Sequence, residues 1–495
     1  MKRHMSDGKP PVFCKPDPLD QIAAWMELVR RSKKMRLLFV SHNMGGGCER
    51  HIQELSEYLR GDLEILTVRA SGKKEAILHF GTRRDGIGLR FKMPGDYGEL
   101  LKLCKYLTIS RIHYHHLMAL HPKFQDLPED LDIPYDVTLH DSWFINPDTT
   151  FTDKKGCHTQ DPDLPGRICP DTSPVPDTIA EHKGPKNHAR FLYQADRVIA
   201  PSVYTAQLYK HHFPNLTPIV AHHPDREKCG PYPAVCMAPV RPGEFLSVAV
   251  LGALNREKGA DILEETALQC RDRGFKVKFH LIGYGYRTLD KAVITLGPYK
   301  EYMLKHHIKN IQPHLIWFPT LCPETYSYTL SAALEAGKPV VASDMGTFLE
   351  RLAHRPLTWI KPCQTSGEAW AVFLNMLRET VFKGAKTAEI VWDDQPKTSW
   401  NYKQNYKTPS AYSRTATDEF RPDEKWIKEF IFRDLTNSKE KVLLWLLNIR
   451  FHPLMAKLLQ KVPYHIERRI KRWFSRKPIH EIMQQRQNKR DSHCD

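Results

Sequence analysis

The chain contains two successive series of short apolar segments that alternate with stretches of helical spacing. Strands that lie parallel in one sheet need a long connection, usually a helix, so this alternation predicts crossover helices between parallel strands. The sequence therefore predicts an α/β protein with two tandem Rossmann-like, doubly wound domains and a ligand cleft at the carboxyl ends of the strands. The predicted strands are 36–43, 63–68, 112–116, 135–141 and 196–202 in the first series, and 245–252, 275–283, 315–319, 339–342 and 357–360 in the second.

Local composition gives the domain boundaries. Residues 223–244 contain five prolines, which favours a linker between the two series. Residues 384–424 are polar and low in aliphatic side chains, which is typical of a surface loop or a disordered segment. The predicted organisation is a helical extension (1–34), an N-terminal Rossmann-like domain (35–222), a linker (223–244), a C-terminal Rossmann-like domain (245–383), a polar loop or disordered segment (384–424) and a basic amphipathic tail (425–495).

Overall composition argues against a transmembrane, a disulfide-rich or a secreted protein. Of the 495 residues, 41% are hydrophobic and 26% are charged, as expected for soluble globular domains. No apolar run approaches the roughly 18 residues that a transmembrane helix needs. The 11 cysteines form no dense disulfide pattern, which suits a reducing compartment. The first residues are basic but lack the apolar region of a secretory signal, so we expect a cytoplasmic location.

A glycine turn joins the first predicted strand to the following helix. Gly45, Gly46 and Gly47 stand between the strand and the helical pattern CERHIQEL, as in the opening unit of a nucleotide-binding domain. Without Cβ atoms, this backbone could approach phosphates or an acceptor closely. A plain tight turn is the alternative.

Five motifs in order resemble the large retaining group of glycosyltransferases known as family 4, especially its bacterial O-antigen and capsule enzymes. The motifs are GGGCERHIQEL, VTLHD, ADRVIAPS, LGALNREKGADIL and PETYSYTLSAALEAGKPVVAS, and they run from residue 36 to about 380. The resemblance implies the GT-B fold, in which the N-terminal domain (35–222) binds the acceptor and the C-terminal domain (245–383) binds the nucleotide-sugar donor. It also implies transfer of a sugar from a nucleotide-sugar donor with retention at the anomeric carbon, with no cofactor beyond the donor itself.

The resemblance places Glu324 at the hydroxyl groups of the donor sugar, as a catalytic residue. The physical setting agrees, because a helix N-terminus offers amide groups and a partial positive charge to the diphosphate. A carboxylate just before that helix can accept hydrogen bonds from sugar hydroxyls. The neighbouring Thr325, Tyr326 and Ser327 are predicted to bind the donor. An acid that merely complements the helix dipole is the alternative.

Two positions depart from the family pattern. The second glutamate of the motif, which usually holds the nucleotide ribose, is replaced by Ala332, and Glu335 is one turn too distant to substitute well. The arginine that usually neutralises the diphosphate is replaced by Ala253. Lys258 matches the family lysine, and Arg256 is a candidate second cation or an exposed base. The predicted donor site therefore contains less positive charge than is usual.

His140 matches the family histidine near the transferred sugar, and we predict a catalytic role for it. It ends the strand segment VTLHD and should face the cleft. A structural histidine is the alternative reading.

Three groups of residues raise the question of a metal. No cysteine or carboxylate lies close to the histidine run, which favours lining of the cleft over a metal site. The acidic pair, Asp161 and Asp163, lies in a predicted loop with no strand after it. The group of two cysteines and a histidine, at 157–169, lacks a fourth ligand. We therefore expect no metal. The groups are His113, His115, His116 and His121; Asp161 and Asp163; and Cys157, His158 and Cys169.

The tail carries most of the net charge of +16. Thirteen bases and two acids lie between Lys441 and Arg490, and aliphatic and aromatic residues are interspersed with the bases. Short basic amphipathic helices of this kind bind anionic membrane surfaces, which we predict for residues 441–477. A tail packed on the protein is one alternative and a nucleic-acid arm is a less favoured one.

These features together predict a glycosyltransferase at the inner face of the cell membrane. Its acceptor would be a growing surface polysaccharide or a lipid-linked glycan. Two alternatives stay open at this point: a non-catalytic GT-B protein that binds a glycan or nucleotide, suggested by Ala332 and Ala253, and a sugar-nucleotide epimerase.

Overall fold

The computed structural model describes residues 17–71, 74–82, 87–145, 185–299, 301–392, 398, 400–406, 420–433 and 442. The predicted metal candidates at 157–169 and nearly all of the predicted membrane-binding segment 441–477 lie outside these residues. Among the described residues, no helix is both long enough and apolar enough to cross a bilayer.

The N-terminal domain is built on a nine-stranded sheet, in the order β17-β4-β3-β2-β1-β5-β6-β7-β8. The central strand β1 is parallel to both of its neighbours, as predicted. Two strands that the sequence pattern did not reveal, β3 and β4, extend the sheet as antiparallel neighbours of β2. The strands are β1 (Met35–Ser41), β2 (Leu63–Ser71), β3 (Glu75–Phe80), β4 (Ile87–Lys92), β5 (Arg111–Tyr114), β6 (Tyr135–Thr138), β7 (Arg197–Ala200), β8 (Ile219–Val220) and, from near the end of the chain, β17 (Ile431–Arg433).

Helices cover both faces of this sheet. The predicted N-terminal extension contributes α1, whose Ile22, Met26 and Val29 are buried in the domain core. The helices are α1 (Pro18–Arg31), α2 (Gly46–Leu59), α3 (Tyr97–Tyr106), α4 (Leu127–Leu131), α5 (Pro185–Tyr193), α6 (Val203–His212) and α7 (Pro224–Cys229), with a 3-10 turn at Pro122–Gln125.

The C-terminal domain has a six-stranded, wholly parallel sheet in the order β12-β11-β10-β13-β14-β15. The prediction of a second doubly wound domain is therefore confirmed. The strands are β10 (Leu246–Leu254), β11 (Val277–Gly285), β12 (Val293–Thr295), β13 (Leu315–Phe318), β14 (Val340–Ser343) and β15 (Thr358–Lys361). The helices are α8 (Ala260–Asp272), α9 (Leu304–Ile311), α10 (Tyr328–Glu335), α11 (Thr347–Arg351) and α12 (Gly367–Leu377), with a 3-10 turn at Glu301–Met303 and a π turn at Arg378–Phe382.

The segments on either side of this domain are more structured than the sequence pattern predicts. Within 223–244, expected to be a linker, lie α7 and β9 (Val235–Met237). Strand β9 pairs antiparallel with β16 (Ala388–Ile390), which lies in the segment expected to be a loop or disordered. The same segment contains α13 (Tyr402–Asn405), where Tyr402 is fully buried.

After residue 420 the chain returns to the N-terminal domain. Helix α14 (Glu424–Phe430) packs there, with the Phe430 ring stacked on Phe91 at 5.2 Å between centroids. The Trp426 indole N–H donates to Glu99 at 2.8 Å, and β17 then pairs with β4. Residues 425–433 are thus part of the N-terminal sheet and its cover, whereas the sequence pattern assigned them to the basic tail.

Candidate functional site

A cavity of about 710 Å³ lies between the two domains. Its walls come from the carboxyl ends of strands: the glycine turn after β1, the segment after β6, the end of β10 and the segment between β13 and α10. In doubly wound sheets this is where ligands bind, because successive loops diverge there and leave an open crevice.

Glu324 lies on the wall of this cavity, four residues before α10. Its backbone is fixed by a close approach to Gly346: the Thr347 amide donates to the Glu324 carbonyl at 2.8 Å. A Cβ atom on Gly346 would lie 2.3 Å from that carbonyl oxygen, and the φ of +55° also favours glycine. This turn places the carboxylate next to the N-terminus of α10.

Lys258 contacts Glu324 directly, with 3.0 Å between Nζ and Oε1. The carboxylate raises the pKa of Lys258, so the ammonium stays charged at neutral pH. Both groups line the cavity. The site therefore holds a cation that can bind a phosphate next to a carboxylate that can accept a hydrogen bond from a sugar hydroxyl.

Arg256 does not line the cavity. Its Nε lies 3.1 Å from Asp261 in the first turn of α8, and 39% of its side chain is exposed. The position of Arg256 therefore does not support a role in donor binding.

The two alanines that depart from the family pattern differ in their surroundings. Ala253 is exposed and lines the cavity next to Lys258. Ala332 does not line the cavity; it is 8% exposed and belongs to an apolar cluster with Leu330 and Val340. Glu335, on the same helix, forms an ion pair with Lys305.

The glycine turn forms the opposite wall. Gly45 and Gly46 have φ values of +73° and +74°, which residues with a Cβ rarely adopt. A Cβ on Gly47 would meet the Tyr328 ring at 3.8 Å, an ordinary contact. The first two glycines are thus needed for the turn itself, and all three line the cavity.

Residues 325–327 line the cavity, and two of them also make contacts with residues outside the C-terminal domain. Thr325 donates from Oγ1 to the His140 carbonyl at 2.7 Å, across the cleft. The Tyr326 hydroxyl donates to Asp225 at 2.5 Å, and its ring stacks on His223 at 4.0 Å. Ser327 is the N-cap of α10 with a φ of +66°. All three still line the cavity, so both domains contribute to one continuous site.

His140 lines the cavity and contacts two further histidines at its buried side. Its Nε2 lies 3.4 Å from His51 Nδ1 and 3.2 Å from His115 Nδ1. Burial lowers the pKa of all three imidazoles, to about 3 for His51, so they are neutral at neutral pH.

The other members of the histidine run have separate partners. His113 bonds the Tyr406 hydroxyl at 2.6 Å and the Thr138 hydroxyl at 2.7 Å. His116 contacts Asp141 at 3.1 Å, and His121 accepts from the Lys123 amide at 3.2 Å.

The structure adds residues that the sequence pattern did not single out. The Arg50 guanidinium lies 4.0 Å from the centre of the Tyr328 ring and is ion-paired to Glu54 and Glu301. His223 bonds the Tyr328 hydroxyl at 2.8 Å. Arg50 is three residues past the glycine turn, on the helix that starts there, which is the signal that could have identified it.

A second contact joins the domains beside the cavity. The Glu350 carboxylate of α11 accepts from the amides of Tyr204 at 2.9 Å and Val203 at 3.2 Å, at the N-terminus of α6. Burial raises the pKa of Glu350, while the two amides act in the opposite direction. An acid at a helix N-terminus is favoured by the partial positive charge there.

The N-terminal domain matches a family of known function: residues 45–222 fit the model described as Glycosyltransferase Family 4. A comparison with curated proteins finds no match. For the N-terminal domain the match confirms the predicted family, whereas the predicted bacterial O-antigen or capsule type stays a prediction.

Three solved structures illustrate the wider likeness. HepE from Anabaena, in complex with UDP and glucose, has a TM-score of 0.45 and 14% identity over 70% of this chain and 90% of that one. Sucrose-phosphate synthase from Thermosynechococcus elongatus has a TM-score of 0.43 and 12% identity over 70% and 90%. A TarM mutant from S. aureus, in complex with UDP among other ligands, has a TM-score of 0.44 and 12% identity over 70% of this chain and 93% of that one. These likenesses are too distant to carry an argument about function.

The Glu350 contact gives a test of domain closure. In Glu350→Ala, the amides of Val203 and Tyr204 lose a charged acceptor worth about 1.5–3 kcal/mol. Their hydrogen exchange, followed by mass spectrometry of the α6 peptide, should become at least roughly tenfold faster. Glu368→Ala, which removes an exposed acid paired with Arg273 in the same domain, should leave it unchanged. Equal exchange in the wild type and Glu350→Ala would show that the two domains do not make this contact in solution.

Proposed function

We propose an acceptor class and a mode of transfer for this chain, which is a nucleotide-sugar-dependent glycosyltransferase of family 4 with the GT-B fold. The acceptor is a growing surface polysaccharide or a lipid-linked glycan, and the sugar is transferred with retention of its anomeric configuration. The observation that supports transfer in this cavity is the pairing of Glu324 with Lys258 at the start of α10, opposite the glycine turn and His140.

The diphosphate of the donor binds at the N-terminus of α10. The first amides of a helix have no partner within it and carry partial positive charge, so they suit an anion. Lys258 neutralises the charge that the leaving phosphate gains as the glycosidic bond breaks, which is where such a reaction most needs stabilisation. On donor binding, Lys258 exchanges its contact with Glu324 for one with phosphate, which frees the carboxylate for sugar hydroxyls.

The transfer step takes place on one face of the sugar. The bond from the anomeric carbon to the phosphate oxygen breaks while a bond to the acceptor oxygen forms on the same face. The acceptor proton passes to the departing phosphate oxygen, so the step needs no carboxylate nucleophile. His140 and the glycine turn hold the transferred sugar and the acceptor on the N-terminal side. The match to family 4 favours transfer over the epimerase and non-catalytic alternatives.

The location that we propose is the cytoplasmic face of a membrane, reached through residues 441–477. The support is charge: thirteen bases against two acids from Lys441 to Arg490, with apolar residues among them. Each base near an anionic surface contributes about 1 kcal/mol, so a few suffice for firm binding. An enzyme held in this way would meet lipid-linked acceptors at the surface where they are exposed.

The first prediction from the proposed function concerns Glu324. Glu324→Ala removes charged hydrogen bonds worth about 1.5–3 kcal/mol to sugar hydroxyls, and turnover should fall at least tenfold. The assay is donor turnover over a panel of UDP-, GDP- and dTDP-sugars with the full-length protein. The matched control is Glu335→Ala, an acid of the neighbouring helix outside the cavity, which should retain activity. A folded Glu324→Ala protein with wild-type turnover would remove Glu324 from the reaction.

The second prediction uses the contrast between the two alanines. Ala253 is exposed in the cavity next to Lys258, so Ala253→Arg should add a charged contact to the diphosphate. A gain of about 1–2 kcal/mol corresponds to roughly five- to thirtyfold tighter binding of nucleoside diphosphates, measured by calorimetry.

Ala332→Glu is the comparison variant. The resemblance to family 4 implied that a glutamate there would bind the ribose, but Ala332 lies in an apolar cluster outside the cavity. A carboxylate there would be buried among apolar side chains, so we expect lower stability and no tighter binding. Tighter binding of nucleoside diphosphates by Ala332→Glu, with no change for Ala253→Arg, would mean that position 332 faces the donor and that position 253 does not.

The third prediction concerns the membrane. A chain ending at residue 440 keeps β17 and should stay folded, but should lose binding to vesicles that contain anionic lipid, measured by co-sedimentation. Vesicles of neutral lipid are the control and should bind neither protein. Equal binding of both proteins to anionic vesicles would contradict the proposal, and salt-dependent binding of the tail to RNA or DNA would support an arm for nucleic acid instead.

A further inference from the structure

Three histidines from three different elements converge at the buried side of the cavity. His51 comes from α2, His115 directly follows β5, and His140 follows β6. One ring nitrogen of each lies within 4.8 Å of the others. His51 and His115 are 0% and 1% exposed, and His140 reaches the cavity wall.

Two of the three distances between these nitrogens match the edges of a coordination tetrahedron, and the third is at most 4.8 Å. His140 Nε2 lies 3.4 Å from His51 Nδ1 and 3.2 Å from His115 Nδ1. Two nitrogens bound to one tetrahedral Zn²⁺ at 2.0–2.1 Å are separated by about 3.3 Å. A hydrogen bond explains one of these contacts well, but a single ring nitrogen has one proton or one lone pair to share between two neighbours.

The rings are held in place by their surroundings. The His115 ring stacks on His113 at 4.2 Å, and His113 is itself fixed by Tyr406 and Thr138. The His51 ring stacks on His223 at 4.2 Å. Imidazoles held rigidly in this way bind a metal with little loss of side-chain entropy.

We propose that His51, His115 and His140 bind one transition-metal ion of the Zn²⁺ class. Three imidazole nitrogens suit Zn²⁺, Co²⁺, Ni²⁺ or Cu²⁺, whereas Mg²⁺, Mn²⁺ and Ca²⁺ favour oxygen ligands. Three protein ligands leave a fourth position for water or hydroxide. The donor set contains no carboxylate, so the ion keeps its full charge and favours an anionic fourth ligand. The cavity at His140 gives the ion a path from solvent.

The binding experiment uses Co²⁺ as the probe and the full-length protein without donor or acceptor. After treatment with a chelator and dialysis, the protein should bind one Co²⁺ per chain and show the strong visible absorption of tetrahedral Co²⁺. One equivalent of Zn²⁺ should abolish the absorption, and an excess of Mg²⁺ should not. Absence of a saturable Co²⁺ signal would overturn the proposal. Because no sugar transfer is measured, this outcome is independent of the proposed function.

Two variants connect the signal to this cluster. His115→Gln and His51→Gln each remove one ligand from a different element and should weaken Co²⁺ binding at least about tenfold, since even second-shell changes cost that much. His306→Gln removes an exposed histidine next to His307 and should bind as the wild type does.

Thermal unfolding gives a readout that does not depend on the spectrum. Zn²⁺ should raise the unfolding temperature of the wild type and of His306→Gln, since the ion binds the folded state, and should raise that of folded His115→Gln and His51→Gln clearly less. Wild-type affinity in both cluster variants, or loss of binding in His306→Gln alone, would place the metal elsewhere and refute the proposal.

Discussion

The close approach of two backbone segments at Gly346 determines how this molecule is assembled around its cavity. The segment before α10 can lie against the start of α11 because residue 346 has no Cβ atom. The hydrogen bond from Thr347 to the Glu324 carbonyl fixes the acid on the cavity wall. The same turn starts α11, which brings Glu350 to the amides of α6 in the other domain. One backbone contact thus positions both a site residue and an interdomain contact.

The positive charge of the site is divided between the domains. The C-terminal domain supplies Lys258, already paired with Glu324, and has an alanine at 253, where the resemblance to family 4 implies an arginine. The N-terminal domain supplies Arg50, whose guanidinium lies over the ring of Tyr328, the first residue of α10. Because Arg50 belongs to the opposite domain, its charge is at the start of α10 only when the two domains are together. Charge at the site and domain closure are therefore coupled.

The sequence predicted the parts of the fold that repeat a simple pattern. Strands β1 and β10 each contain a continuous apolar run, 37–40 and 248–251, with glycine close after it. The family motifs predicted site roles for Glu324, Lys258 and His140, and all three line one cavity. Strands β3 and β4 were missed because polar residues interrupt their apolar pattern: Glu75 and His79 in β3, and Arg90 and Lys92 in β4. The burial of Tyr402 and Tyr406 could not be predicted, since their partners in the N-terminal domain are far away in the sequence. His51 was missed because a single histidine within a helix is not part of any repeating sequence pattern. Only the fold brings it close to His115 and His140.

The N-terminal sheet is completed by β17, which follows the entire C-terminal domain in the chain. On the ribosome, the nascent chain therefore presents β4 as an outer strand, with unpaired backbone groups, throughout the synthesis of the second domain. Domains that emerge first usually fold first, as units. Here the first domain to emerge is the last to be finished, because its final strand and α14 become available only after the second domain has left the exit tunnel. The period during which that edge can pair with another nascent chain is set by the time needed to translate the intervening domain.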